Sequence, residues 1–111
     1  MILLYAIAIA MPSGMVYFFG GAFMETRIAV MGVIVENVLS VEALNSLLHE
    51  YRAYIIGRMG IPYKDKGISV VSIALDAPQD VISALAGRVG KLDGISVKTA
   101  YSNKIYGADN E

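Results

Sequence analysis

Twice along this chain an alternating run is apolar on both of its sides, ends in an acid, and gives way to apolar residues at helical spacing. The first run is Ile28 to Val35, followed by Glu36; the second is Ile68 to Leu75, followed by Asp76. Short β-branched runs of this kind read as central strands. After the first, Ser40 is placed to cap a helix, and Glu42 falls in the first turn, where the helix dipole favours an anion. Val41, Leu44, Leu48 and Tyr51 then recur at helical spacing, with Leu47 widening the stripe. After the second run, Asp76 and Gln79 have capping-box spacing with Pro78 between them. Val81, Leu85, Val89 and Leu92 form the next helical stripe. Ala53 to Met59 and Ile95 to Tyr101 supply the two remaining strands. Gly60 to Gly67 reads as a turn, Asp93-Gly94 as another, and Lys104 to Glu111 as a polar tail. Two βαβ halves with right-handed crossovers interleave into an α+β, ferredoxin-like βαββαβ plait. Its four-stranded antiparallel sheet carries both helices on one face. A swapped or open arrangement of the same elements is the alternative.

The double apolarity has a consequence. A sheet covered on one face should alternate, with polar residues on the other. Here Ile28, Val30 and Ile34 point one way and Ala29, Met31, Val33 and Val35 the other. Val71, Ile73 and Leu75 likewise oppose Ile68, Val70 and Ala74, with Ser69 and Ser72 the polar members. One set covers the helices; the other forms an apolar patch of the kind that marks an interface. The 111 residues suffice for one domain, yet 56% are hydrophobic, above the usual 45–50% or so. The expected cover is a second copy of the chain, a dimer or tetramer joined through the open sheet face.

Composition breaks near residue 24. Met1 to Met24 contains no charged side chain, and every charge lies from Glu25 onward. The reading adopted for residues 1–23 is an upstream extension, with the natural start at Met24, a domain over 24–102 and a tail over 103–111. On that reading the protein is cytoplasmic. The alternatives are a membrane anchor, although Pro12-Ser13-Gly14 interrupts it, and a signal peptide, although the basic n-region is missing. A membrane partner follows only if the leader is genuine.

Most chemistry is excluded by residue type. Nine basic and ten acidic residues give a net charge of -1 with no clustered basic face, which argues against direct nucleic-acid binding. There is no cysteine, so disulfides, thiolate metal sites and cysteine nucleophiles are absent. No Gly-x-Ser-x-Gly elbow, paired-carboxylate cleft or phosphate-cradling glycine loop is present. His49 is the sole histidine, on the polar side of the first helix beside Glu50. A metal would need it to work across a subunit interface, so no metal or other cofactor is expected. Arg58 is more informative, because it sits in an otherwise apolar strand between Tyr54 and Tyr63. A cation there must pair, stack on a ring or meet an anion. Glu36 or Asp76 could supply the charge. The structural reading is a strand-end or intersubunit ion pair. The functional one is an effector site for a carboxylate or phosphate, built from Arg58, Tyr54, Tyr63 and His49.

Several stretches together carry a resemblance. They are Met24-Glu25-Thr26-Arg27-Ile28-Ala29-Val30, Leu48-His49-Glu50-Tyr51, Tyr54 through Tyr63, Lys66-Gly67-Ile68-Ser69, Asp76-Ala77-Pro78 with Asp80 through Leu85, and Gly94 through Thr99. Over Met24 to Ser102 the chain closely resembles the iron-only hydrogenase system regulators of anaerobic bacteria. That family looks like the ligand-binding domain of nickel-responsive repressors and, more distantly, like ACT regulatory domains. The resemblance implies a ferredoxin-like fold, dimers or tetramers, and a sensing role tied to hydrogenase assembly or expression, without catalysis. Nickel sensors of that fold use several histidines and a cysteine, so their metal site does not carry over. The loop Glu36-Asn37-Val38-Leu39-Ser40 lacks the glycine of amino-acid-binding ACT domains, so that site does not carry over either. No basic ribbon-helix-helix arm precedes the domain, and an effect on transcription would require a separate partner. The competing classes are a small dimeric ferredoxin-like enzyme and a membrane-tethered accessory protein.

Metal binding offers a direct check. Calorimetric titration with nickel or zinc should show no stoichiometric binding tighter than about 10 μM. A stoichiometric site lost in His49→Ala would overturn the expectation.

Overall fold

The first strand of the domain sets everything else in place. In the computed structural model, which describes residues 17–19 and 22–107 and the side chains of 25–107, this strand is β3 (Thr26–Val35). Ahead of it, β1 (Tyr17–Phe19) and β2 (Ala22–Met24) form a separate two-stranded antiparallel sheet. The elements that follow are α1 (Val41–Glu50), β4 (Ile55–Tyr63), β5 (Ile68–Ala77), α2 (Gln79–Gly90) and β6 (Ile95–Tyr106). The four long strands form one antiparallel sheet in the order β4-β5-β3-β6. The two βαβ halves therefore interleave, with β3 and β5 central, and the fold is an α+β ferredoxin-like plait.

Register decides which apolar set is buried. β3 and β5 pair from Arg27↔Ala77 to Val35↔Ser69, so Ala29 faces Leu75, Met31 faces Ile73 and Val33 faces Val71. Residues directly opposite in a ladder share a face. All six are buried, and Leu44 and Leu48 of α1 with Ile82, Leu85 and Val89 of α2 close over them. Fully burying side chains of this size contributes about 1.5–3 kcal/mol each. Val41, Leu47, Tyr51, Val81 and Leu92 pack partly buried around this layer. The α2 stripe is thus rotated slightly from expectation, with Ile82 rather than Val81 at its centre.

Several boundary details depart from the sequence reading, most of them where a neighbouring strand or a distant side chain decides the outcome. Residues Arg52–Tyr54 form a 3-10 turn, and the strand expected from Ala53 begins at Ile55. It runs on to Tyr63 because Gly60 to Tyr63 pair with Val71 to Ile68. The turn shrinks to a 3-10 turn over Lys64–Lys66 and Gly67. The expected polar tail is strand as far as Tyr106, since Ile105 and Tyr106 pair with Arg27 and Thr26 across a bulge. Neither predicted cap forms. The Ser40 hydroxyl donates to the Asp93 carbonyl at 2.6 Å rather than capping α1. Asp76 is buried within β5, Gln79 turns to Arg27, and Pro78 occupies the N-cap position of α2.

No helix among the described residues is long and apolar enough to cross a membrane. Residues 1–16, 20–21 and 108–111 lie outside the described residues, and with them most of the leader and the end of the tail.

Two glycines separate backbone conformation from packing. Both Gly67 (φ 65) and Gly94 (φ 69) are left-handed, where a Cβ costs about 1–2 kcal/mol. At Gly67 an added Cβ meets nothing, whereas at Gly94 it would stand 2.5 Å from the Asn37 Cβ. In urea denaturation, Gly94→Ala should lose at least about 1 kcal/mol more stability than Gly67→Ala. Equal losses would mean that the Asn37 contact yields without cost.

Candidate functional site

Among the described residues, the sheet face opposite the two helices is left uncovered. Ladder pairing places Gly57, Ala74, Val30 and Ala100 in one row across the four strands. The next row is Met59, Ser72, Gly32 and Lys98, and the next Ile61, Val70, Ile34 and Ser96, with Tyr63 opposite Ile68 beyond it. Six large apolar side chains on this face are exposed: Met59 at 60%, Ile61 at 50%, Val30 at 48%, Tyr63 at 43%, Ile34 at 42% and Val70 at 39%. Lys98 is the one charged residue in these rows. Strand spacing of about 4.8 Å and a rise of about 3.3 Å per residue make the face roughly 19 Å by 30 Å. Its corrugated accessible area is then on the order of the ~800 Å² per partner of a standard interface.

The four sequence-derived effector candidates do not converge. Arg58 pairs with Ile73, which puts it on the helix side of β4, exposed, with Nη2 donating to the Asn45 Oδ1 of α1 at 3.1 Å. The partner is an amide, not the ring or carboxylate anticipated. Tyr63 lies on the opposite, open face. His49 is exposed on α1. Tyr54 is half-buried beside Tyr51, with ring centroids 6.5 Å apart, and burial first, then neighbouring Tyr51 and Asp80, pushes its hydroxyl above the usual tyrosine range. No group of three or more His, Asp or Glu among the described residues could hold a metal ion.

The arginines that do stack are Arg27 and Arg88. Arg27 lies 4.8 Å over the Tyr101 ring, with Nη1 donating to Gln79 Oε1 at 2.6 Å and Nη2 to the Ser102 carbonyl at 2.5 Å. It thereby ties β3 to β6 and to the start of α2. It borders an open groove of about 810 Å³ with Ser83, Ile105, Glu25 and Asp80, whose two carboxylates make the groove acidic on balance. Arg88 spans the two helices, bonding Glu50 Oε2 at 2.7 Å and sitting 5.7 Å over the Tyr51 ring. Its hydrogen bond holds the Glu50 carboxyl below the usual glutamate range, and the two partners raise the guanidinium further. Sequence reading singled out neither arginine. Arg27 had a signal, a cation opening an apolar strand; Arg88 had none, because its partners lie on another helix.

At the far end of the plait from Arg27, the β3–α1 loop is bolted to the α2–β6 turn. Glu36 N–H donates to the Gly94 carbonyl at 2.7 Å, Asn37 Nδ2 to Asp93 Oδ2 at 2.6 Å, and Leu39 N–H to Asn37 Oδ1 at 3.0 Å. This fixed turn presents Val38 and Leu39 to solvent.

Known proteins share this frame. Residues 27–99 match the family model "TM1266-like: Iron-only hydrogenase system regulator, putative". The chain belongs to this family. The matched span runs from the Arg27 tie through both helices into β6, so it is the plait itself. Among solved structures, the chain is similar to the uncharacterized protein TM1266 from Thermotoga maritima, at 27% identity and a TM-score of 0.66, over 68% of this chain and 96% of that one. It is also similar to a formyltetrahydrofolate deformylase from Pseudomonas putida KT2440, at 16% identity and a TM-score of 0.52. That match spans 69% of this chain and 30% of the deformylase, and it shows the fold alone. A search of the curated proteins finds no match.

The Arg88–Glu50 bridge predicts a titration. Because the folded pKa of Glu50 is depressed, its contribution to stability is present above the unfolded value and lost as pH falls through the folded one. In a carbon-detected NMR titration, Glu50 should ionise below the usual glutamate range, and Arg88→Ala should bring it back up toward that range. An unchanged Glu50 midpoint in the variant would show that the bridge is not populated in solution.

Proposed function

We propose that this member of the regulator family is an oligomeric, non-catalytic regulatory module, assembled through the open sheet face. The observation that carries this reading is the row structure of that face: six exposed large apolar side chains, one charge, and a size in the range of a stable interface. Monomeric soluble proteins rarely keep so continuous an apolar face in water. A C2 pairing buries the same patch on both copies, so that each half of this face covers the other. Catalysis has little to work with. The stacked arginines are held by neutral or paired partners, and no nucleophile, base and orienting group are gathered in one cleft among the described residues. The fold family of the deformylase does not alter this, because function resides in sites rather than folds.

Regulation on this reading acts through assembly, with the hydrogenase system as its context and the cytoplasm as its place. Assembly would divide the four effector candidates: Tyr63 enters the interface, while Arg58, Tyr54 and His49 stay on the helix side. An effector carrying a carboxylate or phosphate would then meet Arg58 with Asn45.

Opposite faces of one strand supply the experiment. Met31 is buried under the helices and Val30 is exposed on the open face. Met31→Lys should unfold the domain, since a buried unpaired charge costs several kcal/mol or more. Val30→Lys should leave circular dichroism intact and lower the sedimenting mass. A folded Val30→Lys variant of unchanged mass would refute assembly through this face.

A further inference from the structure

The helix layer carries a protrusion and a recess of matching chemistry. Val38 and Leu39 are 75% and 84% exposed, the two most exposed large apolar residues among those described. They do not sit on a loose loop, since hydrogen bonds from Glu36, Asn37 and Leu39 hold that turn, and Ser40 anchors its end to the Asp93 carbonyl. Ordering two aliphatic side chains toward water is unfavourable unless they are to be covered. Exposed carboxylates flank them: Glu36, Glu42 and Asp93.

The recess is the groove of about 490 Å³ between α1 and α2. Ala43, Leu47 and Leu92 give it an apolar lining, and Arg88 and Lys91 stand on its rim. Glu50 neutralises Arg88, so the groove keeps a net positive charge from Lys91. Leu39 belongs to a 3-10 turn, Val38–Ser40, that leads directly into α1, and Ala43, on the groove, is the third residue of that helix. Protrusion and recess are therefore neighbours on one surface, one acidic at its rim and the other basic.

We propose that this surface binds a second copy of the chain. The Val38–Leu39 turn of each copy seats in the α1–α2 groove of the other about a two-fold axis. A two-fold axis passing between the two features makes both contacts at once, as an isologous interface requires. The apolar pair fills the groove, and the flanking carboxylates meet Lys91. The charge pairs are exposed at the rim and fix orientation more than affinity. This contact is separate from the open face. Together the two faces build a dimer of dimers, and either can exist without the other.

Sedimentation of the full chain tests it, over about 1 to 100 μM so that associations in the micromolar range are seen. Leu39→Asp spoils the protrusion and Ala43→Glu the recess; both positions are exposed, and circular dichroism confirms that each variant folds. Each variant alone should sediment at half the parental mass, because both symmetric contacts are lost. Mixed in equal amounts, they should regain part of the larger species. In the mixed pair, the intact protrusion of the Ala43→Glu copy meets the intact recess of the Leu39→Asp copy. Should Leu39→Asp unfold, Leu39→Ser serves in its place. Parental mass in either folded variant overturns the proposal, as does a mixture that shows no recovery, which would assign the turn to another partner. Val30→Lys keeps the two interfaces apart. If it halves the mass and Leu39→Asp does not, the open face stands and the helix face falls. If Leu39→Asp halves the mass and Val30→Lys does not, the helix face stands and the open face falls.

Discussion

The β3–β5 ladder carries the molecule. Its helix-facing pairs, Ala29 with Leu75, Met31 with Ile73 and Val33 with Val71, are the floor on which Leu44, Leu48, Ile82, Leu85 and Val89 rest. Because side chains alternate along a strand, slipping this ladder by one residue would exchange the floor for Val30, Gly32 and Ile34. Both sets are apolar in β3, so hydrophobicity alone would tolerate the slip. What opposes it is the detail of each set. The observed floor is continuous and large, whereas the other is broken by Gly32 and, in β5, by Ser72. A continuous floor packs at native density beneath two helices; a gapped one leaves cavities.

Two ties fix the ends of the plait around that ladder. At one end, Arg27 joins β3 to α2 and β6 through Gln79, Ser102 and the Tyr101 ring. At the other, the Asn37–Asp93–Gly94 cluster joins the loops that lead into α1 and β6. Both use side chains whose local options were different, a strand-opening cation and a helix cap. Their tertiary bonds win because they satisfy buried or half-buried polar groups that would otherwise lose water without replacement. The result is a rigid frame with its apolar excess displayed outward, on the open sheet face and at the Val38–Leu39 turn. That distribution is what the proposed assembly rests on, in a family described as regulatory.

The sequence by itself determined the secondary elements of the plait, their order and the two-faced apolarity of its central strands. These are properties of local periodicity, and the alternation in Ile28 to Val35 and the stripe through Leu44 and Leu48 need no distant information. It also bounded the chemistry, since one histidine and no cysteine are facts of composition. What it could not fix was anything decided by a partner far along the chain. The ends of β4 and β6 depend on whether β5 and β3 continue beside them. Ser40 and Gln79 leave their expected caps because Asp93 and Arg27, each more than fifty positions away, offer bonds in the folded state. Arg58 and Tyr63 look adjacent in sequence terms, yet the pleat sends them to opposite faces and separates the candidate site. The choice between two apolar faces of one strand likewise belongs to the tertiary structure. Only the placement of both helices on one side turns an equal pattern into a core and a surface.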